Sequence, residues 1–204
     1  MPLRLSLPRI PRKLGSRGFV FLAGFSMMAI ELLAGRVTAP YLGASLYTWT
    51  GIIASVLVGI SLGAWLGGIA SDRFGGRRVR RFALLASGIA VMLSLVIAAM
   101  AGPWLGLRLS VPYAMPIFAM LVFFPPSFFL ASIQPASIRA DLSEVEATGH
   151  VVGSLGAWNA AGSLLGTYLT GFLFIGHLPT HTVWLAIAIT LFGLGVFRFG
   201  ARLT

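Results

Sequence analysis

Six long apolar runs, separated by short polar segments, dominate the pattern of this chain. They cover residues 19–38, 47–70, 82–102, 113–133, 151–175 and 182–199. Each is close to the roughly 20 residues that a helix needs to cross a hydrocarbon core. In lipid every backbone polar group must be paired within its own segment or a closed barrel. The ten-residue alternation of a barrel strand is absent, so six transmembrane helices are expected in an all-α, polytopic integral membrane protein. Residues 1–18 read as a basic tail and residues 19–204 as one six-helix membrane domain. The basic tail and the long run behind it, with Glu31 inside, favour an uncleaved first span over a signal peptide.

Within the second run, small residues recur every four positions at Gly51, Ser55, Gly59, Gly63, Gly67 and Ser71. That spacing puts them on one helix face, where another backbone can approach closely. The fifth run carries two shorter rows of the same kind. One is Gly149, Gly153, Ala157 and Ala161, and the other is Gly162, Gly166 and Thr170. The second and fifth runs are each the middle member of a group of three, which suggests a 3+3 inverted repeat.

Composition agrees with the pattern. Of 204 residues 57% are hydrophobic and 10% charged, and the mean hydropathy is +0.92, too apolar for a soluble domain of this size. The net charge of +10 is gathered in loops rather than along one face, which argues against nucleic acid as a partner. With the N-terminus inside, thirteen of the fifteen Lys and Arg residues fall on the inner side, and Arg36 and Arg108 on the outer. The positive-inside rule then puts both termini in the cytoplasm, as in a bacterial plasma-membrane protein. The chain has no cysteine, which removes disulfides, thiolate metal sites and a Cys nucleophile from consideration. Pro179 separates His177 from His181 and spoils a helical metal pair, so no metal or other cofactor is expected.

Few residues inside the runs carry chemistry. Glu31 is the one acid well inside a run, about 18 Å along a helix from Phe19. A carboxyl group at that depth is costly and is paired, protonated or functional. Arg36 is its nearest candidate partner in sequence, at a spacing of five that suits a helix poorly. Pro125 and Pro126 should break the fourth span, freeing carbonyls that line a cavity or are re-satisfied by Ser127, Ser132 and Gln134. Asn159 lies in the fifth span as a hydrogen-bonding or cavity residue. Tyr41, Tyr47 and Trp158, with Trp49 and Tyr113, are candidates to stack on a cation; the alternative is an interfacial aromatic belt.

Two resemblances follow from these residues. The stretch Gly67-Gly68-Ile69-Ala70-Ser71-Asp72-Arg73-Phe74-Gly75-Gly76-Arg77-Arg78 resembles the loop between the second and third helices of major facilitator transporters, with one extra glycine. The resemblance implies that Asp72 and Arg73 gate the cytoplasmic side. More broadly, two groups of residues resemble the membrane domain of spermidine synthase-like proteins. The first is Gly24-Phe25-Ser26, Glu31, Arg36, Ala39-Pro40-Tyr41-Leu42-Gly43 and Ser45-Leu46-Tyr47-Thr48-Trp49. The second runs from Gly153 through Asn159 and from Gly162 through Thr167. In that family a facilitator-like helical domain is often fused to an aminopropyltransferase. The transferase has no counterpart in these 204 residues, so the chain is not expected to be an enzyme itself.

What the resemblance implies is half of a facilitator-like fold, carrying a polyamine or another organic cation. Glu31, Arg36, Tyr41, Tyr47, Trp158 and Asn159 would bind the substrate, and Asp72 with Arg73 would gate it. Six helices are half of a two-bundle carrier, so a homodimer is expected, with any exposed part of the glycine ladder as its interface. The alternative is a membrane anchor or scaffold for a separately encoded aminopropyltransferase.

Overall fold

A computed structural model describes residues 14–142 and 148–200, with side chains from Gly15 to Phe197. Most of the basic tail, residues 1–13, together with residues 143–147 and 201–204, lies outside the described residues. Among the described residues all regular structure is helical. The helices are α1 (Leu14–Leu42), α2 (Leu46–Phe74), α3 (Gly76–Arg108), α4 (Val111–Val122), α5 (Phe124–Asp141), α6 (Thr148–Tyr168), α7 (Ile175–His177) and α8 (Thr180–Gly200), with a π-helical turn, Leu169–Phe174, between α6 and α7.

Four helices, α1, α2, α3 and α8, are long and apolar enough to cross a membrane, and α4 with α5 makes a fifth span if the bent pair is taken as one. The sequence expectation of six spans is thus met for four or five. Helix α6 is not among them, because glycine, serine and Asn159 take positions that leucine and valine hold elsewhere. The bend between α4 and α5 is 45°. Pro125 and Pro126 stand in the first turn of α5, where missing N–H groups cost nothing. Continued through that point, a single helix would lose two of its hydrogen bonds. Ser127 Oγ donates to the Phe123 carbonyl at 2.8 Å. Ser132 Oγ lies 2.9 Å from the Phe128 carbonyl and 2.9 Å from the Gly63 carbonyl of α2. These hydroxyls bond to Phe123, Phe124, Phe128 and Gly63 rather than to the Leu121 and Val122 carbonyls that the two prolines leave without a helical donor. The expected re-satisfaction by Ser127 and Ser132 is therefore not what they provide.

Three tight seams hold the bundle together: α2 on α4–α5, α1 on α6, and α3 on both α5 and α8. All six rungs of the α2 ladder are buried. Along it Gly51 meets Met115, Gly59 meets Ser127, Gly63 meets the Phe128 backbone and Gly67 meets Ser132. The ladder is therefore consumed inside the chain, which corrects its expected role as an interface between copies. On α6, Gly162 and Gly166 press against the backbones of Phe21 and Phe25 of α1. The neighbouring row behaves otherwise: Gly149 and Gly153 have open space beside them, and Ala157 and Ala161 are exposed. In the third seam Gly88 of α3 meets Phe192. Nearby, the fully buried Trp184 donates from Nε1 to the Val91 carbonyl at 2.8 Å and lies 3.0 Å from Ser94 Oγ.

Candidate functional site

A cleft of about 400 Å³ opens where α1, α2, α5 and α6 meet. Met27 and Met28 of α1, Ala64 of α2, Gln134 of α5, and Asn159 and Ser163 of α6 are among its lining residues. At its edge α6 packs closely on α1: a Cβ on Gly24 would lie 2.8 Å from the Asn159 side-chain oxygen and 2.9 Å from Ser163 Oγ. A side chain at that position would fill that edge of the cleft. An amide, a carboxamide and a hydroxyl thus converge within an otherwise apolar bundle. They can donate and accept hydrogen bonds to a small polar ligand.

Glu31 is half-buried on α1, four positions beyond Met27 and three beyond Met28, and so on the same helical face. Arg36 does not pair with it. Helix α1 runs unbroken from Leu14 to Leu42, and five residues turn a helix by about 140° beyond a full turn. Arg36 is exposed, and among the described residues neither side chain has an ion-pair partner.

The aromatic candidates are dispersed. Tyr41 packs its ring against Gly102 and stands 6.2 Å from the Phe118 ring, which makes it a clamp between α1, α3 and α4. Tyr47 is 60% exposed at the start of α2. Trp158 is 43% exposed and meets Phe21 edge-on at 6.2 Å. Of the six predicted substrate residues only Asn159 lines the cleft. Gln134, expected as a partner for freed carbonyls, lines it instead.

The arginine-rich end of the bundle carries a second polar group. Asp72 pairs with Arg139 of α5 at 3.0 Å, rather than with the adjacent Arg73, and so ties α2 to α5. Both side chains are at least half exposed, so the pair contributes about 0–1 kcal/mol to stability and is easily broken and remade. Beside it Arg80 is buried. Its guanidinium donates to Ser16 Oγ, Ser16 donates to Asp141 Oδ1 at 2.9 Å, and Arg80 lies 4.9 Å over the Phe19 ring. This network joins α1, α3 and α5. Sequence reading took Arg80 only as a topology marker, because nothing in a run of arginines shows which one turns inward.

No family model, curated protein or solved structure matches this chain. The likeness to spermidine synthase-like membrane domains rests on the motifs quoted above.

Proposed function

We propose that the chain is a half-size, facilitator-like carrier that moves a small organic cation through the cleft between α1, α2, α5 and α6. The observation that carries this reading is the convergence of Gln134, Asn159 and Ser163 on one open cleft, with Glu31 one turn along the same face of α1. Taking α4–α5 as the fourth span and α6 through α7 as the fifth gives six spans. Exchanging spans one and four, and two and five, then maps the α2 seam on α5 onto the α6 seam on α1. In both, glycines of a middle helix press on the backbone of a first helix. That correspondence supports a 3+3 inverted repeat, the architecture nested in each half of such carriers.

The cleft is open on one side, and a second copy facing it closes the path. Two copies bring two Glu31 carboxylates to one cavity, which suits a linear diamine or polyamine better than a monovalent cation. Trp158, next to the cleft residue Asn159 on α6, offers a cation-stacking surface, whereas Tyr47 lies thirteen residues before the first α2 residue of the cleft. Asp72 with Arg139, rather than with Arg73, forms the cytoplasmic gate, and the buried Arg80–Ser16–Asp141 network anchors the helices that it joins. Both termini lie in the cytoplasm of a bacterial cell. The protein binds and moves its substrate without covalent chemistry.

Uptake of labelled putrescine or spermidine into liposomes containing the purified protein tests the proposal. Flux above that of empty liposomes, saturable and competed by unlabelled diamine, is the expected result. Absence of flux, together with co-purification of an aminopropyltransferase from the source cells, would establish the anchor reading instead.

A further inference from the structure

The α2–α3 turn builds a concavity unrelated to the transport cleft. Phe74, Gly75, Gly76, Arg77 and Arg78 form one side, and Arg139 and Ala140 at the end of α5 form the other, around about 340 Å³. Its shape follows from the backbone. Gly75 adopts φ +87°, which reverses the chain in a single residue between two long helices. Gly76 packs directly on the Ala136–Ala140 backbone, so no side chain fits between the two helices there. No Cβ rises from the glycine pair, and the hollow stays open between guanidinium groups from two different helices.

Among the described residues, charge compensation is incomplete there. Arg139 has its Nε against Asp72, which leaves other N–H groups of its guanidinium available. Arg77 and Arg78 are exposed, and among the described residues neither has a carboxylate partner. Among the described residues the three arginines around this hollow have one carboxylate paired with them. Phe74 is 60% exposed at the wall and gives the hollow an apolar edge toward the bilayer. Arginine forks match phosphate oxygens in geometry as well as charge. A basic hollow between spans at the cytoplasmic surface has the chemistry that recognises anionic headgroups.

We infer that this hollow binds the phosphate of an anionic phospholipid, held by Arg77, Arg78 and Arg139 with the acyl chains along Phe74. The lipid joins α2–α3 to α5 at the same point as the Asp72–Arg139 pair, so its occupancy bears on the separation of those helices. None of this depends on the chain being a carrier.

Delipidated full-length protein in neutral detergent is titrated with short-chain phosphatidylglycerol, phosphatidylcholine and inorganic phosphate, and the thermal unfolding midpoint is followed. Phosphatidylglycerol should stabilise at concentrations at least about tenfold lower than phosphatidylcholine. The double variant Arg77→Gln/Arg78→Gln should abolish that difference, while Arg73→Gln, which removes a charge outside the hollow, should change it less than about twofold. Equal losses from Arg73→Gln and the double variant would reduce the effect to diffuse surface charge and overturn the site. Stabilisation by inorganic phosphate equal to that by phosphatidylglycerol would make it a soluble-anion site and overturn the lipid assignment. If the double variant does not fold, the wild-type titration still decides, since no preference for phosphatidylglycerol would refute the inference.

Discussion

Gly63→Leu is expected to destabilise the protein by about 3 kcal/mol or more. A Cβ on Gly63 overlaps the carbonyl of Phe128, and the α-carbon of the same residue lies 2.9 Å away. A carbonyl within a helix has no rotamer into which to retreat, so the helices themselves must separate. Separation also breaks the hydrogen bond from Ser132 to the Gly63 carbonyl. Gly162→Leu meets the Phe21 carbonyl in the same way across the α1–α6 seam and should cost a similar amount. Gly153→Leu is the control. It has the same spacing, the same helix and the same residue type as Gly162, with nothing within 4 Å of its Cβ. For a chain of this length a loss of 3 kcal/mol lowers the unfolding midpoint by roughly 6–12 °C. Tryptophan fluorescence during thermal unfolding in detergent provides the measurement. Equal shifts for Gly153→Leu and Gly162→Leu would show that glycine content, rather than these contacts, sets the stability.

The second large effect is on transport. Glu31→Gln is expected to reduce putrescine flux at least about a hundredfold while leaving the unfolding midpoint close to that of the parent. Two points support this pairing of outcomes. The carboxylate has no ion-pair partner among the described residues, so its removal strands no buried charge. It also shares a helical face with the cleft residues Met27 and Met28. On the dimeric arrangement proposed above, a dication would lose both counter-charges at once, and charge interactions in a half-buried site are stronger than in bulk water. Arg36→Gln, on another face of the helix, should keep most of the flux. Normal flux from Glu31→Gln would remove the charge role of this residue and with it the argument for a cationic substrate.

Particular residues show what the sequence made legible. Four-residue spacing located the α2 ladder, and every rung is buried. The same spacing in Gly149, Gly153, Ala157 and Ala161 marked a row that faces outward. Periodicity defines a face, and only the arrangement of the other helices determines whether that face meets a neighbour. The break at Pro125-Pro126 was legible because a proline lacks its N–H wherever it stands. The roles of Gln134 and Arg80 were not, because each depends on which way its helix is rotated in the bundle. Tyr41 was read as a path residue from its motif. The space over Gly102, 61 positions later, gives it a packing role instead. Asp72 was read as gating with its neighbour Arg73, whereas the C-terminal ends of α2 and α5 bring Arg139 to it.

The central claim is that the α1, α2, α5 and α6 cleft is a water-filled path. The absence of native cysteine allows one thiol to be placed at a time. Ala64→Cys puts a thiol in the cleft, and Ile89→Cys puts one in the hollow between α3 and α4–α5, whose lining is apolar apart from Ser94. Thiolate, which forms only where water reaches, attacks the electrophilic sulfur of a membrane-impermeant thiosulfonate, forming a mixed disulfide and releasing sulfinate. The account predicts rapid labelling at Ala64→Cys, slowed by putrescine, and none at Ile89→Cys. Labelling absent at Ala64→Cys, or equal at both positions and unaffected by putrescine, would contradict it.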